Sequence, residues 1–318
     1  MAQQTLVKKQ NNQPVFSVFM KQENIKNLVQ QAVGKDAQRF TAAIISAVSN
    51  NPALQKCEQS TILSAALLGQ GLNLSPSPQL GHYYLVPFED RKNNRTVAQF
   101  QIGYKGYIQL AMRSGQYTDL DVIEIKEGEY KGKDKKTGKT VFEFIEDDDV
   151  REGLPTVGYM AYFELVNGFR KQIYWTKGKM LSHADKYSPA FSKDCEVVHT
   201  RYGEKQKVSY EDFVAGNYDQ NDAWLYSSFW YKSFDEMAFK TMLRQLISKW
   251  GIMSVEMQDA FTHDDAVIAE DGTASYVEYD DSANVDYEGE PATPAQAATV
   301  TADEVADLDF FGDSDTNK

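Results

Sequence analysis

The sequence predicts an α+β fold with N-terminal helices, a central antiparallel meander sheet with a crossing helix, and a long C-terminal helix. Two observations predict it. Apolar residues recur at helical spacing before residue 73, alternate with period two in most segments from 83 to 175, and return to helical spacing after residue 222. Strands and helices do not alternate regularly, as they would in a doubly wound fold. The 318 residues, 42% of them hydrophobic, can bury a sizeable core.

Each element follows from these two periods. Helical spacing predicts helices at 25–32, 40–48, 62–68 and 104–113, from Thr176 as N-cap to 186, and from 223 to 250. Alternation predicts strands at 83–86, 96–102, 119–127, 140–145, 156–166 and 169–175, the first two joined by a turn at 90–94. The stretch at 187–222 shows no period, so we expect it to be irregular.

Composition predicts disorder at both ends of one folded domain. Residues 1–20 begin with a polar stretch, and we expect them to be a disordered N-terminal segment. Residues 262–318 consist largely of Asp, Glu, Ala, Thr and Pro, with too few large apolar side chains to offset the entropy of ordering. We therefore expect the folded domain to span residues 21–261.

Charge is divided unevenly along the chain. The net charge is −13, but residues 256–318 contain 18 of the 46 acidic side chains and only one of the 33 basic ones. Residues 1–255 therefore have a net charge of +4. A mildly basic body with a strongly acidic tail is typical of a nucleic-acid-binding domain that also carries an interaction tail.

Composition and spacing disfavour several other classes. The sequence contains no run of about 18 apolar residues, so we expect no transmembrane helix. The first residues lack the apolar segment of a signal peptide. Cys57 and Cys195 lie far apart, which suits free thiols in a reducing compartment. The run GKDKKTGKT at 132–140 has one residue too many between its glycines for a phosphate-binding P-loop, so we expect a Lys-rich hairpin tip.

Two distant segments carry most of the chemical information. QFQIGYKGYIQL at 99–110 and KTMLRQLISKWG at 240–251 both place Lys or Arg beside aromatic and apolar residues at helical spacing. Neither contains a nucleophile, a metal-ligand set or a phosphate-binding glycine loop. This combination favours a surface that binds a charged polymer over a site that makes or breaks bonds.

Three runs in this chain resemble the RecT family of phage and prophage single-strand DNA annealing proteins. They are QFQIGYKGYIQLAMRSGQY at 99–117, VNGFRKQIYWTKGKM at 166–180 and DEMAFKTMLRQLISKWGIMSVEMQDA at 235–260. The resemblance covers roughly residues 25–260, except 127–150 and 187–222. It implies an ATP-independent protein that binds single-stranded DNA, assembles into rings or filaments and pairs complementary strands in recombination. It implies no covalent catalytic site, no metal and no cofactor.

Basic residues in both segments are candidates for DNA contact. Lys105, Gln109 and Arg113 share one face of the helix at 104–113. A lysine in the first turn opposes the helix dipole, and a bound phosphate would reverse that penalty. A solvated face is the alternative. In the last helix, Lys240 and Arg244 border an apolar stripe that we expect to pack in the core, formed by Phe239, Met242, Leu243, Leu246 and Trp250.

With the resemblance, these residues extend to a larger expected DNA-binding set. Trp175 could stack on bases or, equally, pack in the core, and Lys249 has a structural alternative because a helix C-terminus favours a cation. The expected set is Gln101, Tyr104, Lys105, Gln109, Arg113, Trp175, Lys177, Lys240, Arg244 and Lys249.

Two other functions stay open on the sequence alone. A metal-dependent nuclease could use the acidic run at 146–149, although four consecutive acids more often form a solvated loop. A structural phage protein with a basic surface is the second alternative.

The resemblance also implies partners. These are single-stranded DNA, the annealed duplex, further copies of the chain and, through the tail, a phage exonuclease or the host single-strand-binding protein. Within the tail, ADLDFFGD at 306–313 places apolar residues among acids and is the expected docking peptide, with a merely solubilising tail as the alternative. We expect the protein to act in the cytoplasm of a bacterial host cell, away from membranes.

Overall fold

The structure, a computed structural model, describes residues 16–90, 92–200, 203–269 and 271–276. It confirms the α+β fold. The helices are α1 (Phe16–Met20), α2 (Glu23–Val33), α3 (Ala37–Ser49), α4 (Gln59–Gly71), α5 (Tyr104–Arg113), α6 (Asp148–Glu152), α7 (Lys177–Tyr187), α8 (Tyr210–Val214), α9 (Phe229–Lys232), α10 (Phe234–Trp250) and α11 (Val255–His263). The strands are β1 (Tyr83–Asp90), β2 (Arg95–Ile102), β3 (Tyr117–Lys126), β4 (Tyr130–Lys133), β5 (Thr140–Phe142), β6 (Thr156–Leu165), β7 (Arg170–Thr176), β8 (Glu196–Thr200), β9 (Gly203–Lys207), β10 (Ala266–Ile268) and β11 (Ala274–Ser275).

These strands form two larger sheets and two hairpins. The first sheet has the order β1-β2-β10-β11, and the second has the order β3-β6-β7. Strands β4 and β5 form one separate hairpin, and β8 and β9 form the other. The single meander sheet expected from the sequence is therefore wrong in one respect. Helix α5 leads from the first sheet to the second, and the chain returns at β10 to pair with β2.

The N-terminal helices α1 to α4 form a core of their own against β2. Phe16 and Met20 of α1 are buried in it, so the expected disorder of residues 1–20 is wrong for 16–20. The two side chains lie four positions apart and therefore share one side of a short helix. The residues before them are polar, which led to the prediction of disorder for the whole of 1–20. Residues 1–15 lie outside the described part of the chain.

Two glycines hold α5 close to the start of β1. The N–H of Gly103 donates a hydrogen bond to the carbonyl oxygen of His82 (2.9 Å). A Cβ atom at Gly103 would collide with the carbonyl oxygen of Gly81, and one at Gly106 would collide with that of His82. The GYKG run therefore permits a backbone approach that any side chain would block. The predicted helix at 104–113 is confirmed.

The long helix expected from 223 to 250 is interrupted. Residues Gln220–Tyr226 form a 3₁₀ segment, α9 is a single turn, and α10 begins only at Phe234. The hydroxyl of Ser228 accepts a hydrogen bond from the N–H of Trp230 (3.3 Å), and Ser233 leaves the helical region with a φ of −146°. The Ser228 side chain, which bonds a nearby backbone N–H, explains the break before α9.

The stretch at 187–222 is also not irregular throughout, because it contains β8, β9 and α8. Strand β9 reads GEKQK and is exposed at four of its five positions. Such a strand has no alternation of apolar and polar residues, which is why the sequence did not reveal it.

One buried carboxylate joins three of these elements. Asp264 follows α11 and has no exposed side-chain surface. Its Oδ1 atom accepts hydrogen bonds from the backbone N–H of Ile102 on β2 (3.0 Å) and from Lys240 Nζ on α10 (2.9 Å). Its Oδ2 atom accepts from the Tyr107 hydroxyl on α5 (2.9 Å) and from Arg244 Nη1 on α10 (2.6 Å). We call these four side chains, Tyr107, Lys240, Arg244 and Asp264, the Asp264 cluster.

The surroundings of Lys240 and Tyr107 in the Asp264 cluster determine their protonation states. Burial disfavours the Lys240 ammonium, but the carboxylates of Asp264 and Asp265 outweigh that effect and raise the pKa of Lys240. Burial and the neighbouring Asp264 raise the pKa of Tyr107, so its hydroxyl stays protonated and donates. A charged Lys240 and a protonated Tyr107 are the states that this carboxylate needs as donors.

The Asp264 cluster also shows that the acidic tail does not begin at residue 262. Residues Ala266–Ile268 form β10, all three are buried, and β10 pairs with β2. The expected boundary at 261 is therefore wrong: residues 262–269 belong to the folded domain. A three-residue strand is too short to show a period, which is why composition dominated the prediction. Residues 277–318 lie outside the described part.

We predict that Asp264→Asn destabilises the protein by about 3–5 kcal/mol, because the amide leaves the buried Lys240 charge without its main partner. Urea unfolding measures the change. The matched control is Asp265→Asn, since Asp265 lies 3.6 Å from the same ammonium but its side chain is 54% exposed. Equal stabilities for the two variants would contradict the assigned role of Asp264.

Candidate nucleic-acid interface

The exposed side of α5 carries three of the expected residues. Lys105, Gln109 and Arg113 are all exposed and follow one another at four-residue intervals. We call them the α5 face. Beside it, burial and the positive charges of Arg113 and Lys105 lower the pKa of His82. Lys105 and Arg113 themselves give this face positive charge, which would attract an anion.

Arg113 also has a structural contact. Its Nη2 atom donates to the carbonyl oxygen of Leu72 (2.6 Å), and its Nη1 atom donates to that of Asn73 (3.1 Å). These carbonyls follow the last turn of α4, where backbone acceptors lack helical partners. Arg113 therefore ties α5 to the end of α4, while Lys105 and Gln109 have no such contact in the described part.

Gln101 and Tyr104 lie beside the α5 face but are less exposed. Gln101 is half-buried on β2, opposite Tyr84 of β1. The Tyr104 ring packs edge-on against Phe239 of α10, with ring centroids 5.5 Å apart. Tyr104 therefore connects α5 to α10, and only part of its ring is left for a ligand.

Lys240 and Arg244 do not lie on an open face as expected. Lys240 is buried, with 10% of its side chain exposed, and points at Asp264. Arg244 keeps 40% of its side chain exposed, but its guanidinium bonds Asp264 and the Tyr107 hydroxyl. Helical spacing placed both cations at the edge of the apolar stripe. It could not show that their acidic partner lies in a segment predicted to be a disordered tail.

A second group of cations surrounds two tryptophans near the end of α10. On β7, Lys171 and Trp175 lie opposite Phe163 and Tyr159 of β6, so both project from the face of the sheet that packs against the core. Lys171 Nζ lies 4.5 Å from the ring centroid of Trp250, and Lys179 Nζ lies 4.0 Å from that of Trp175. With two neighbouring lysines these residues form the Lys–Trp surface: Lys133, Lys171, Trp175, Lys179, Lys249 and Trp250.

The lysines of the Lys–Trp surface lie close enough for their charges to affect one another. Partial burial and the nearby charges of Lys249 and Lys133 lower the pKa of Lys179. Within the described residues, neither these lysines nor Lys105 forms an ion pair with a carboxylate. Like charges without an acidic partner repel one another, and a bound polyanion would relieve that repulsion.

Helices α5 and α7 both have positive charge in their first turn, which is unusual for a helix N-terminus. Lys105 lies in the first turn of α5, and Lys177 and Lys179 lie in the first turn of α7, with no acidic residue in either turn. The expected N-cap at Thr176 is confirmed, since its hydroxyl accepts from the N–H of Lys179 (3.2 Å). Cations at a helix N-terminus are unfavourable unless an anion binds there.

The expected DNA-binding set included two members of the Lys–Trp surface, Trp175 and Lys249, and missed the other four. It named the adjacent Lys177, but not Lys133, Lys171, Lys179 or Trp250. Lys171, Ile173 and Trp175 alternate along β7, so their shared face could have been found from period two. Trp250 was expected in the core and is instead 39% exposed. Its contact with Lys171 joins residues distant in sequence and could not be read from spacing.

Other candidate sites have structural explanations. The hairpin tip expected at 132–140 is confirmed by the pairing of β4 with β5. In the acidic run at 146–149, Asp147 caps α6 by accepting from the N–H of Val150 (3.1 Å). Among the described residues, no three His, Cys, Asp or Glu side chains converge as metal ligands would. In that same part of the chain, no helix is both long and apolar enough to cross a bilayer.

The protein is an α+β protein with lysines that lie beside aromatic rings and have no acidic partner among the described residues. Residues 38–278 match the model of the RecT family. The sequence is 33% identical to the uncharacterised protein YqaK of Bacillus subtilis (strain 168) over 310 residues, 95% of this chain and 91% of that protein. It is 34% identical to Protein RecT of Escherichia coli (strain K12) over 122 residues, 37% of this chain and 45% of that protein.

The chain belongs to the RecT family. The resemblance found in the sequence is confirmed, and membership makes this a protein of DNA recombination and annealing in the general sense. The family match ends at residue 278, past β10 and β11, which agrees with a folded domain that includes the segment after 262.

We predict different effects for two cations from the expected set. Arg244→Ala removes two hydrogen bonds inside the Asp264 cluster and should destabilise the protein by about 1–3 kcal/mol. Lys105→Ala removes an exposed side chain and should change stability by less than about 0.5 kcal/mol. Thermal and urea unfolding compare them. Unchanged stability of Arg244→Ala would show that Arg244 is free for a ligand.

Proposed function

We propose that this protein is an ATP-independent single-strand DNA annealing protein. The observation that carries the proposal is the set of exposed cations without acidic partners, on the α5 face and the Lys–Trp surface. Membership of the RecT family supports it. The acidic tail does not weaken this argument, because the net charge of residues 1–255 is positive.

The physical task of annealing fits such surfaces. Two complementary strands are polyanions that repel each other, and their base edges must stay free to pair. A protein that neutralises phosphates with lysines lowers the repulsion without covering those edges. Contacts to phosphate and sugar position a strand but carry no sequence information directly, so the binding should be largely independent of sequence.

The proposed contacts are expected residues that keep accessible surface: Lys105, Gln109 and Lys249 are exposed, and Lys177 and Trp175 are half-buried. Lys105 and Gln109 on α5, Lys177 on α7 and Lys249 on α10 would contact phosphates, and Trp175 would contact bases. Gln101, Tyr104 and Arg113 border these positions and would support them. Arg244 would act by holding α10 against α5 through the Asp264 cluster. Lys240 is not proposed as a contact, because it is buried.

Assembly and partners extend the proposal. Copies of the chain would form a ring or filament, since strands must be aligned over many nucleotides. The tail peptide at 306–313, outside the described residues, would dock a phage exonuclease or the host single-strand-binding protein. The protein would act in the bacterial cytoplasm and would use no covalent catalysis.

We predict that the protein binds oligo(dT) with an affinity that falls steeply with salt, with a log–log slope of about −0.7 for each phosphate neutralised. Fluorescence anisotropy measures it. Lys105→Ala should weaken binding and reduce the slope. The matched control is Lys35→Ala, an exposed lysine in the 3₁₀ segment Gly34–Asp36 that should leave both unchanged. A flat salt dependence would contradict phosphate binding.

Annealing itself is tested with complementary oligonucleotides added one after the other, without ATP. We expect faster duplex formation and, by electron microscopy, assemblies of many subunits on the DNA. Labelled DNA with magnesium tests the nuclease alternative, for which cleavage would be the result. Absence of any DNA binding would favour a structural protein instead.

A further inference from the structure

The Lys–Trp surface contains two cation–π pairs of the same design. In each pair a lysine from one element lies over the indole ring of another: Lys179 of α7 over Trp175 of β7, and Lys171 of β7 over Trp250 of α10. Strand β7 is the last strand of its sheet order, so both pairs lie along one edge of the second sheet. Lys171 and Trp175 are four residues apart, about 13 Å in an extended strand.

Only weak contacts hold each lysine over its ring. Among the described residues, neither lysine has a carboxylate partner, so each ammonium is satisfied by a ring and by solvent. The contact of an exposed ammonium with a ring is weaker than its charge-assisted hydrogen bond to a phosphate oxygen. An arriving phosphate can therefore draw each lysine off its ring. The Trp175 ring is half-buried and also packs edge-on against His183, and Lys249 Nζ lies 5.9 Å from the Trp250 ring centroid. The part of each ring that its lysine leaves can then take another planar group.

A nucleic acid supplies both groups that these pairs can accept. Its phosphates match the lysines, and its bases have flat faces that stack on aromatic rings with little dependence on sequence. In a duplex the bases are already stacked on one another. In a single strand they are free to turn toward a protein ring. An acidic peptide would satisfy the lysines but would leave both indole rings without a partner.

We propose that the two Lys–Trp pairs are exchangeable contacts that open on single-stranded DNA, the lysines moving to phosphates while bases stack on Trp175 and Trp250. Lys133 and Lys249 add positive charge around the same stretch of strand. The inference rests on the proposed function and specifies how the strand is held.

The test compares normal DNA with DNA that lacks bases. Binding of oligo(dT) and of an abasic deoxyribose-phosphate oligomer of the same length is measured for wild type, Trp175→Leu and Lys179→Gln. Trp175→Leu should weaken oligo(dT) binding roughly five- to a hundredfold, the range expected for the loss of one stacked base. It should leave binding of the abasic oligomer unchanged. Lys179→Gln should weaken both ligands.

A second pair and a control sharpen the result. Lys171→Gln should behave like Lys179→Gln, and Lys135→Gln, an exposed lysine at the hairpin tip, should bind both ligands like wild type. Oligo(dT) should quench the tryptophan fluorescence of the wild type more than the abasic oligomer does. Trp175→Leu should lose part of that quenching. Thermal unfolding checks that each variant is folded. If Trp175→Leu does not fold, Lys171→Gln, Lys179→Gln and the quenching of the wild type carry the test.

The outcomes separate this inference from the proposed function. If the wild type binds oligo(dT) but Trp175→Leu weakens both ligands equally or neither, or if quenching does not depend on bases, the exchange is wrong and DNA binding stands. If the wild type binds neither ligand, the proposed function fails. If poly-Glu binds as tightly as oligo(dT) and loses affinity in the same variants, the surface takes an acidic protein segment instead.

Discussion

The structure depends on a single carboxylate, Asp264, which is bonded to β2, α5 and α10 at once. A buried charge is costly unless every lone pair finds a donor, and here four donors from three elements supply that compensation. A buried ion pair of this kind contributes little net stability compared with apolar packing. We infer that its role is to specify one arrangement, in which donors from β2, α5 and α10 converge on one carboxylate.

This constraint explains how the two motif segments act together. The segment at 99–110 contributes the N–H of Ile102 and the hydroxyl of Tyr107, and the segment at 240–251 contributes Lys240 and Arg244. Lys240 and Arg244, which we call the inner cations, are thus paired with the buried Asp264 carboxylate. The outer cations, at the starts of α5 and α7 and at the end of α10, have no acidic partner among the described residues. The inner cations hold the elements in place, and the outer cations form the proposed DNA surface.

The sequence predicted elements with a clear period and a local signal. Helix α5, the cap at Thr176 and the hairpin at β4 and β5 follow from such signals. The partner of Lys240 could not be predicted, because Asp264 lies in an acidic stretch without a period and only tertiary structure brings it to α10. The contact between Lys171 and Trp250 could not be predicted for the same reason. Spacing within one element shows which residues share a face, but not what that face meets.

The division between inner and outer cations is most directly tested by lysine acetylation read out by mass spectrometry, with and without oligo(dT). The account predicts that Lys105, Lys179 and Lys249 react in the free protein and are protected by DNA. Lys35 should react in both cases, and Lys240 should react in neither. Rapid modification of Lys240 in the free folded protein, with protection by DNA, would contradict the account. So would equal reactivity of Lys105 and Lys179 with and without bound DNA.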